Sequence, residues 1–521
     1  MRAIIILFAA AAAACGSVHD RSECSASADC PAGSYCARTG DGDVCWRDAV
    51  APVVSGVSAA CDHPGPCLRS DVLRVTATIT DDAELLGADV SLLGSTAIPL
   101  ARAGGATWTA SLPLARFAFE AFEAEVVATV TARDGARNER SAAAAPVVVT
   151  RLAWEKVLDA GVFSLTAPAV TADGTVVAAG TNGRLYLLAW DGTGINSLAV
   201  GAGQITAVPA IGERAIWVGS EDSNLYASSL DGSALLANVG VNANGPVKGS
   251  IAVLPDSTKE WGLATSGNGQ VAAASTNSYD YGRSAPTNAF TVGPVVRADG
   301  KICAATATAT ATLRCYTFNA GAFSPDFAVT VGVNVSAPLA VDAAGNVWTG
   351  SQDAKLNKTT TAGATTTVAT LPGSVIDSPV VLQGGDVVVG DQSGILHRFA
   401  PDGTQVWPTE PNLAAPVLSP MALAGTAATL LVPTKSGEIH ALRSDGSTVW
   451  SVALAGAPEL RAPSIYTPAG QPADVMVSLA YFTASNGKVY AVIVDGQLDG
   501  NAPWPKAFHD PRNSNRAGAQ P

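Results

Sequence analysis

The sequence predicts an all-β protein: an eight-bladed β-propeller preceded by a small disulfide-rich segment and an immunoglobulin-like β-sandwich. Three observations lead to this fold class. Apolar runs are short and interrupted by turns, in a chain with 51 Gly and 31 Pro. Charged residues make up only 14% of the chain, against a usual share of about 25%. From residue 151 onward, a unit of about 42 residues repeats eight times, which is the period of a four-stranded propeller blade.

Residues 1–15 are predicted to be an export signal. The segment has one positive charge, an apolar stretch over residues 3–14 and small residues before Cys15. It is too short to cross a bilayer as a helix. The sequence from Ala12 to Cys15 resembles the lipobox of bacterial lipoproteins, in which the Cys becomes the lipidated first residue. The resemblance implies a lipid anchor at Cys15, and Gly16 after it implies the outer membrane, facing either side. A plain secretory signal cut nearby is the alternative.

The nine cysteines support this interpretation. Assigning Cys15 to a lipid leaves eight, in local groups of four, two and two. An even number of clustered cysteines in an exported chain predicts disulfides formed in an oxidising compartment. The disulfide candidates are Cys24, Cys30, Cys36, Cys45, Cys61, Cys67, Cys303 and Cys315.

Residues 16–50 are predicted to be a tether followed by a cysteine-rich segment. Its four cysteines, from Cys24 to Cys45, allow three connectivities, among which the sequence does not choose. A zinc site is disfavoured because the segment has no pair of cysteines separated by two residues. A core this small needs covalent cross-links to be stable.

Residues 51–150 are predicted to form one immunoglobulin-like sandwich, with strands at residues 72–79, 88–92 and 124–131. The turn at residues 130–138 resembles the late-strand turn of bacterial immunoglobulin-like modules. The adjacent Asp81 and Asp82 are candidate calcium ligands, but a solvated turn is the interpretation we favour.

Residues 151–521 carry the repeat. A proline that follows a small residue opens each of the eight units: Pro168, Pro209, Pro246, Pro294, Pro338, Pro379, Pro420 and Pro463. Five units also share an Asp-Gly step, at Asp191, Asp231, Asp402, Asp445 and Asp495. Asp-Gly suits the positive φ angles of a tight hairpin turn, which explains its recurrence without a catalytic role.

The ends of this domain are predicted to share one blade. Trp154 holds the position of the Trp that ends other blades, and Trp504 is a candidate for the same position after the last unit. Sharing a blade would close the ring and remove exposed sheet edges.

The repeat resembles the quinoprotein-type (PQQ-like) β-propellers, over about residues 151–510. The resemblance lies in the cycle that runs from a proline-opened strand through Gly and an aromatic residue to Asp-Gly and Trp, seen best at 394–407 and 437–450. It implies either a quinone-dependent dehydrogenase or a cofactor-free relative. The dehydrogenases have an adjacent Cys pair, a calcium ion and an Asp base. Here Cys303 and Cys315 are 12 positions apart. We therefore predict no catalytic, cofactor-binding or metal-ligating residue and no cofactor.

The predicted function is that of a non-catalytic, lipid-anchored envelope protein whose propeller binds protein partners as an assembly scaffold. A net charge of −13 argues against nucleic acid. His397 and His440 occupy a position that is Tyr in other units, so we expect structural roles for both. The alternatives are a quinone-dependent dehydrogenase and a carbohydrate-binding or carbohydrate-hydrolysing surface protein, with a small molecule or glycan as ligand.

Overall fold

The computed structural model describes residues 18–39, 42–82, 84–236, 245–276, 280–425, 428–472 and 476–518. In these residues the regular structure is β apart from two single-turn 3-10 helices, Ser27–Asp29 and Leu114–Arg116, so the all-β prediction is confirmed. None of the helices found there has the length and apolar character needed to cross a membrane. The predicted signal and Cys15 lie outside the described residues. The chain divides into two compact units. The second unit begins at Arg151 and also includes the short segment Glu120–Phe122.

The first unit begins with a small cysteine-rich sheet. Its strands are β1 (Val18–Glu23), β2 (Ser34–Thr39) and β3 (Gly42–Arg47), in the order β1-β3-β2. Disulfides join Cys24 to Cys36 and Cys30 to Cys45, so the first cysteine pairs with the third and the second with the fourth. The two cross-links hold a segment that has little apolar core of its own.

The rest of the first unit consists of sheets around one core, in which the strand pairs are antiparallel apart from the parallel pair of β14 and β5. Its strands are β4 (Val53–Ala60), β5 (Cys67–Leu68), β6 (Val72–Thr80), β7 (Leu85–Leu92), β8 (Ile98–Pro99), β9 (Ala101–Gly104), β10 (Thr107–Pro113), β11 (Glu123–Val126), β12 (Ala128–Asp134), β13 (Glu139–Ala143) and β14 (Val147–Thr150). The sheets are β4-β6-β10-β9, β13-β12-β7-β8 and β11-β14-β5. Alternate residues of β6 are buried and meet β7 and β12 in the core through Val75, Val90 and Val130.

The prediction of one continuous strand over residues 124–131 is wrong. The chain breaks at the exposed Val127, and the two halves join different sheets, β11 pairing with β14 and β12 with β7. A period-two pattern cannot reveal such a switch, because both halves continue the same alternation. A third disulfide, Cys61–Cys67, closes the short loop before β6.

The second unit is a series of short antiparallel sheets. The strands of its first half are β15 (Leu152–Val157), β16 (Ala169–Val170), β17 (Val176–Ala179), β18 (Arg184–Leu188), β19 (Ile195–Ala199), β20 (Ala210–Ile211), β21 (Ile216–Gly219), β22 (Leu225–Ser228), β23 (Ala252–Pro255), β24 (Glu260–Thr265), β25 (Val271–Ser275), β26 (Tyr281–Arg283), β27 (Val295–Val296), β28 (Ile302–Ala305), β29 (Thr312–Asn319) and β30 (Ala322–Thr330).

The strands of its second half are β31 (Ala340–Val341), β32 (Val347–Gly350), β33 (Lys355–Thr359), β34 (Thr365–Thr370), β35 (Val380–Val381), β36 (Val387–Gly390), β37 (Leu396–Phe399), β38 (Met421–Ala424), β39 (Leu430–Pro433), β40 (Glu438–Leu442), β41 (Thr448–Ala453), β42 (Ser464–Tyr466), β43 (Val477–Thr483), β44 (Lys488–Asp495) and β45 (Gln497–Leu498).

These strands form sheets that follow one another around a ring. Most of the sheets are built from consecutive strands, such as β16-β17-β18-β19 and β31-β32-β33-β34, whereas the sheet β41-β40-β39-β38-β45 adds β45 beside β38. The first strands of neighbouring sheets contact one another, including β42 of the last sheet and β16 of the first. The ends of the unit share a sheet, β15-β44-β43-β42, in which Trp154 lies opposite Ala491. This pairing agrees with the predicted closure.

Three details of the predicted repeat are wrong. Pro246 does not open a strand, because the first strand of that sheet starts six residues later at Ala252. Trp407 does not end a strand, since the sheet β35-β36-β37 has three strands and the chain after it is irregular. Asp495 ends β44 and bonds to the buried Arg151 instead of forming a hairpin turn.

Candidate functional site

The centre of the ring is occupied by the end of the chain itself. We call residues 502–517 the C-terminal strap. In six of the sheets, the first strand donates a backbone N–H to a carbonyl of the strap, at 2.7–2.9 Å. The bonds run from Val170 to Pro511, Ile211 to Arg512, Val253 to Ser514, Val296 to Asn515, Val381 to Trp504 and Ala422 to Pro505. The Oγ of Ser464, in the first strand of the last sheet, adds a bond to the carbonyl of Pro511 at 2.8 Å. The strap is thus bonded to most of the ring.

Two asparagines extend this attachment. Asn513, which is fully buried, donates from Nδ2 to the carbonyls of Pro168 at 2.9 Å and Pro209 at 3.2 Å. Asn515 donates from Nδ2 to the carbonyl of Ile251 at 3.0 Å. Both have positive φ angles, a conformation that Asn adopts more readily than most residues. Their amides therefore reach carbonyls just before, or at the start of, three successive first strands.

A buried lysine holds the strap in shape. The Nζ of Lys506 donates to the carbonyls of Ala507 at 2.7 Å and Asp510 at 3.0 Å, and to Oδ1 of Asn513 at 2.7 Å. Burial lowers the pKa of Lys506 to about 7, with the carboxylate of Asp510 acting in the opposite direction. A lowered pKa is common for a nucleophilic lysine. Here, however, three acceptors of the strap surround the amine, so the geometry is that of a structural group.

Asp510 is a buried carboxylate of the strap, and its charge acts on Lys506. Burial would raise the pKa of Asp510, but the adjacent His509 and the hydrogen bonds from the backbone N–H and hydroxyl of Ser514 outweigh burial, and the pKa is lowered. The ring of His509 packs edge-on against Trp504, with centroids 4.9 Å apart. Trp504 is fully buried in the strap, so it is not the blade-end Trp that the sequence predicted.

A surface groove of about 900 Å³ lies between the first and second sheets. We call it the groove and define it by Leu187, Ile195, Ile211 and Leu230, with Arg512 of the strap at one side. Ile195 and Leu230 are 36% and 39% exposed. Its floor is apolar, and the remaining lining is mainly Ala, Gly and Thr with a few carboxylates.

Two carboxylates at the rim of the groove, Asp231 and Asp173, accept hydrogen bonds within their own turns. Hydrogen bonds from Ser229 and Ser233 lower the pKa of Asp231 to about 2. A hydrogen bond from the hydroxyl of Thr171 lowers the pKa of Asp173. Such carboxylates stay ionised and are poorly suited to act as general acids.

The two histidines that the sequence placed at a Tyr position have the structural role predicted for them. His397 is 2% exposed and lies between Glu410 Oε1, at 2.7 Å, and Asp391 Oδ2, at 3.3 Å. Tyr186 occupies the same position in the first sheet and donates to Asp159 Oδ2 at 2.6 Å. Burial lowers the pKa of His440.

The eight predicted disulfide cysteines are all paired, as expected. Cys303 and Cys315 lie directly opposite each other on β28 and β29 and are joined by a disulfide inside the fourth sheet. No pair of adjacent cysteines is therefore available in the second unit. The predicted turn aspartates behave as expected in four cases, since Asp191, Asp231, Asp402 and Asp445 each accept a backbone N–H two residues later.

The C-terminal strap is the feature that sequence reasoning missed. The segment was associated with closure of the ring, but its path through the centre was not predicted. The signals that could have revealed it are the isolated charges Lys506 and Asp510 in an apolar, proline-rich tail. Without strand periodicity, nothing in that tail indicated which carbonyls it would meet.

Comparison with known proteins agrees with this architecture. Residues 317–516 match the family model described as "Outer membrane protein assembly factor BamB". The crystal structure of BamB from Moraxella catarrhalis is similar, with 15% sequence identity and a TM-score of 0.51, and covers 65% of this chain and 96% of its own.

The crystal structure of the computationally designed Ika8 protein covers 65% of this chain and 98% of its own, at 12% identity and a TM-score of 0.49. No curated protein matches the sequence. The resemblance to quinoprotein-type propellers is confirmed, and the chain carries a PQQ-like β-propeller domain.

Proposed function

We propose that this protein is a non-catalytic scaffold of the bacterial cell envelope, in which the propeller binds protein partners during outer-membrane protein assembly. In this proposal the eight sheets of the second unit are eight blades, residues 51–150 are an immunoglobulin-like spacer, and Cys15 carries the lipid that anchors the chain to the outer membrane.

The observation that carries the proposal is the C-terminal strap. A propeller enzyme needs an accessible site at the mouth of its central channel, where loops from several blades converge. Here the strap occupies that region with buried, hydrogen-bonded residues such as Lys506 and Asn513. A quinone would have to displace it, together with the backbone bonds it makes to the ring. This argues against the dehydrogenase alternative.

The family description supports the assembly role. The model that matches residues 317–516 is named for an outer membrane protein assembly factor. The export signal and lipobox-like sequence at residues 12–15 are consistent with the same compartment.

The groove is the surface we assign to partner binding. It combines an apolar floor with a polar rim, which is the usual composition of a protein interface. Exposed Leu230 and Ile195 supply apolar contact area that is otherwise costly to leave in water. A carbohydrate site would instead be expected to present aromatic rings, and the groove lining contains none.

The test is crosslinking of the full-length protein in its native envelope, followed by mass spectrometry. We expect outer-membrane assembly components among the crosslinked proteins, and we expect Leu230→Asp to reduce their recovery at least tenfold. Val333→Asp is the matched control, because Val333 is equally exposed, at 39%, and lies outside the groove. The proposal fails if no outer-membrane assembly component is recovered, or if Leu230→Asp and Val333→Asp reduce that recovery equally. Dye reduction with added pyrroloquinoline quinone and calcium would establish the dehydrogenase alternative instead.

A further inference from the structure

Three carboxylates converge in the first unit. Asp48, Asp81 and Asp134 each place one oxygen within 4.8 Å of the others. Asp48 comes directly after β3 of the cysteine-rich sheet, Asp81 directly after β6, and Asp134 is the last residue of β12. Three separate chain segments therefore bring the same kind of oxygen ligand to one place.

Three of the six carboxylate oxygens at this place lack hydrogen-bond partners. The Oδ2 of Asp48 and both side-chain oxygens of Asp81 are closed off from solvent and accept no hydrogen bond of normal geometry. The side chain of Asp48 is more than nine-tenths buried. Because a buried carboxylate oxygen without a donor is costly, such atoms usually indicate a missing ligand.

The electrostatic environment is uniformly negative. Burial, followed by the charges of Asp134, Asp82 and Asp48, raises the pKa of Asp81 to about 6, and only the backbone N–H of Asp82 opposes them. Burial also raises the pKa of Asp48, against a hydrogen bond from the backbone of Val50. Every charged neighbour that acts on Asp81 is itself acidic, so the cluster lacks a positive charge at its centre.

Asn138 organises the cluster. Its backbone N–H and its Nδ2 each donate to one oxygen of Asp134 at 2.8 Å, and the same Nδ2 reaches the carbonyl of Asp48 at 3.1 Å. The carboxylate of Asp134 is thereby fixed relative to the chain at Asp48. Each carboxylate oxygen has two lone pairs, so Asp134 can still bind a cation while it accepts these bonds.

We propose that Asp48, Asp81 and Asp134 form a calcium site that fastens the cysteine-rich segment to the β-sandwich within the first unit. The ligand set is oxygen only, which suits a hard cation and disfavours zinc. Calcium fits better than magnesium, because it accepts irregular sets of six to eight oxygens. Water completes the coordination, and the nearby charge of Asp82 further favours a cation.

The proposed calcium site would strengthen the contact between the cysteine-rich segment and the β-sandwich. Besides the bonds of Asn138, the segment meets the sandwich through the N–H of Gly33, which donates to the carbonyl of Ala136 at 3.2 Å. At Gly135 the backbones approach so closely that a Cβ would lie 2.8 Å from Cβ of Tyr35. A cation shared by Asp48, Asp81 and Asp134 adds a strong link across this contact. The solvated turn that we favoured for Asp81 from sequence did not include Asp48 and Asp134, which are distant along the chain.

The experiment uses the full-length protein freed of metal with a chelator and then titrated with calcium chloride. We expect one calcium ion to bind and the first unfolding transition to rise by about 5 °C. Terbium added in place of calcium should luminesce on tyrosine excitation. Tyr35 is close enough for its pKa to be raised by burial and by the charges of Asp48, Asp82 and Asp81.

The variant Asp81→Asn should abolish both the calcium shift and the terbium signal, whereas Asp62→Asn, an exposed carboxylate of the same unit, should keep both. In chelator, Asp81→Asn should unfold at a higher temperature than the native chain, because it removes repulsion. That gain shows that the variant is folded. The proposal would be overturned if calcium did not raise the unfolding temperature of the native chain, or if it raised that of Asp81→Asn as well. It would also be overturned if magnesium raised the unfolding temperature of the native chain as much as calcium does.

Discussion

Lys506 donates a hydrogen bond from Nζ to Oδ1 of Asn513 at 2.7 Å, and both side chains are fully buried. Asn513 uses its other amide atom, Nδ2, to bond Pro168 and Pro209 beside the first two sheets. The pair therefore connects the internal geometry of the C-terminal strap to the ring that encloses it.

The variant Asn513→Ala should destabilise the second unit by about 2–4 kcal/mol. It removes the hydrogen bonds of one buried amide and leaves three partners unsatisfied. A buried donor or acceptor without a partner costs about 1–3 kcal/mol. Ala also adopts the positive φ angle of this position less readily than Asn does. Chemical denaturation followed by tryptophan fluorescence measures the loss. The control Asn501→Ala, at an exposed position just before the strap, should stay within about 0.5 kcal/mol of the native chain.

The backbone φ angle at Asn513 is 56°. A positive φ of this size is strained for Ala, so part of the expected loss comes from the backbone and not from the lost hydrogen bonds. Asn513→Gly separates the two contributions, because Gly removes the amide without that strain. Full stability in Asn513→Gly would contradict the role assigned to the amide.

The stability of the second unit should rise with pH above neutrality because of Lys506. Its pKa is about 7 in the folded chain, against 10.5 for the free side chain. Between these values the unfolded chain binds more protons, so folding becomes more favourable as the pH rises, by up to about 1.4 kcal/mol per pH unit. Denaturant unfolding from pH 6 to pH 10 measures this slope, and Lys506→Met should lack it. Equal slopes in the two proteins would show that the amine is not buried as described.

The disulfide between Cys303 and Cys315 should stabilise the fourth sheet. The sulfurs link opposite residues of β28 and β29, and the following hairpin of β29 and β30 turns at Ala320 and Gly321 instead of at an Asp-Gly step. Replacing both cysteines by Ala should cost about 2–4 kcal/mol, since the cross-link restricts the unfolded chain. Thermal unfolding with and without reductant measures the effect. If reductant lowers the thermal stability of the double variant as much as that of the native chain, the effect of reductant comes from the other disulfides.

Membrane attachment should depend on Cys15. If it carries the lipid, Cys15→Ala should move the protein from the membrane fraction to the soluble fraction, because the acyl chains supply the binding energy. Fractionation and immunoblotting measure the distribution, with Cys61→Ala as the control for loss of a different cysteine. Retention of Cys15→Ala in the membrane would contradict the anchor.

Much of the fold follows from local sequence, and the exceptions have physical causes. The period of the repeat and the turns at Asp191, Asp231, Asp402 and Asp445 depend on short-range patterns and were predictable. The pairing of the chain ends was predictable from the place of Trp154 in the repeat. Pro246 was misplaced because its unit keeps the proline but starts its strand after Ile251. The path of the C-terminal strap and the cluster of Asp48, Asp81 and Asp134 depend on contacts between distant segments, which no local pattern encodes.

Hydrogen–deuterium exchange of the C-terminal strap tests the central claim most directly. Peptides that cover residues 502–517, and the amides of Val170, Ile211 and Val253 that bond to them, should exchange as slowly as the core strands. Adding pyrroloquinoline quinone with calcium should leave these rates unchanged, because the centre of the ring is already occupied. Rapid exchange of the strap, or protection that appears only with the quinone, would contradict the account.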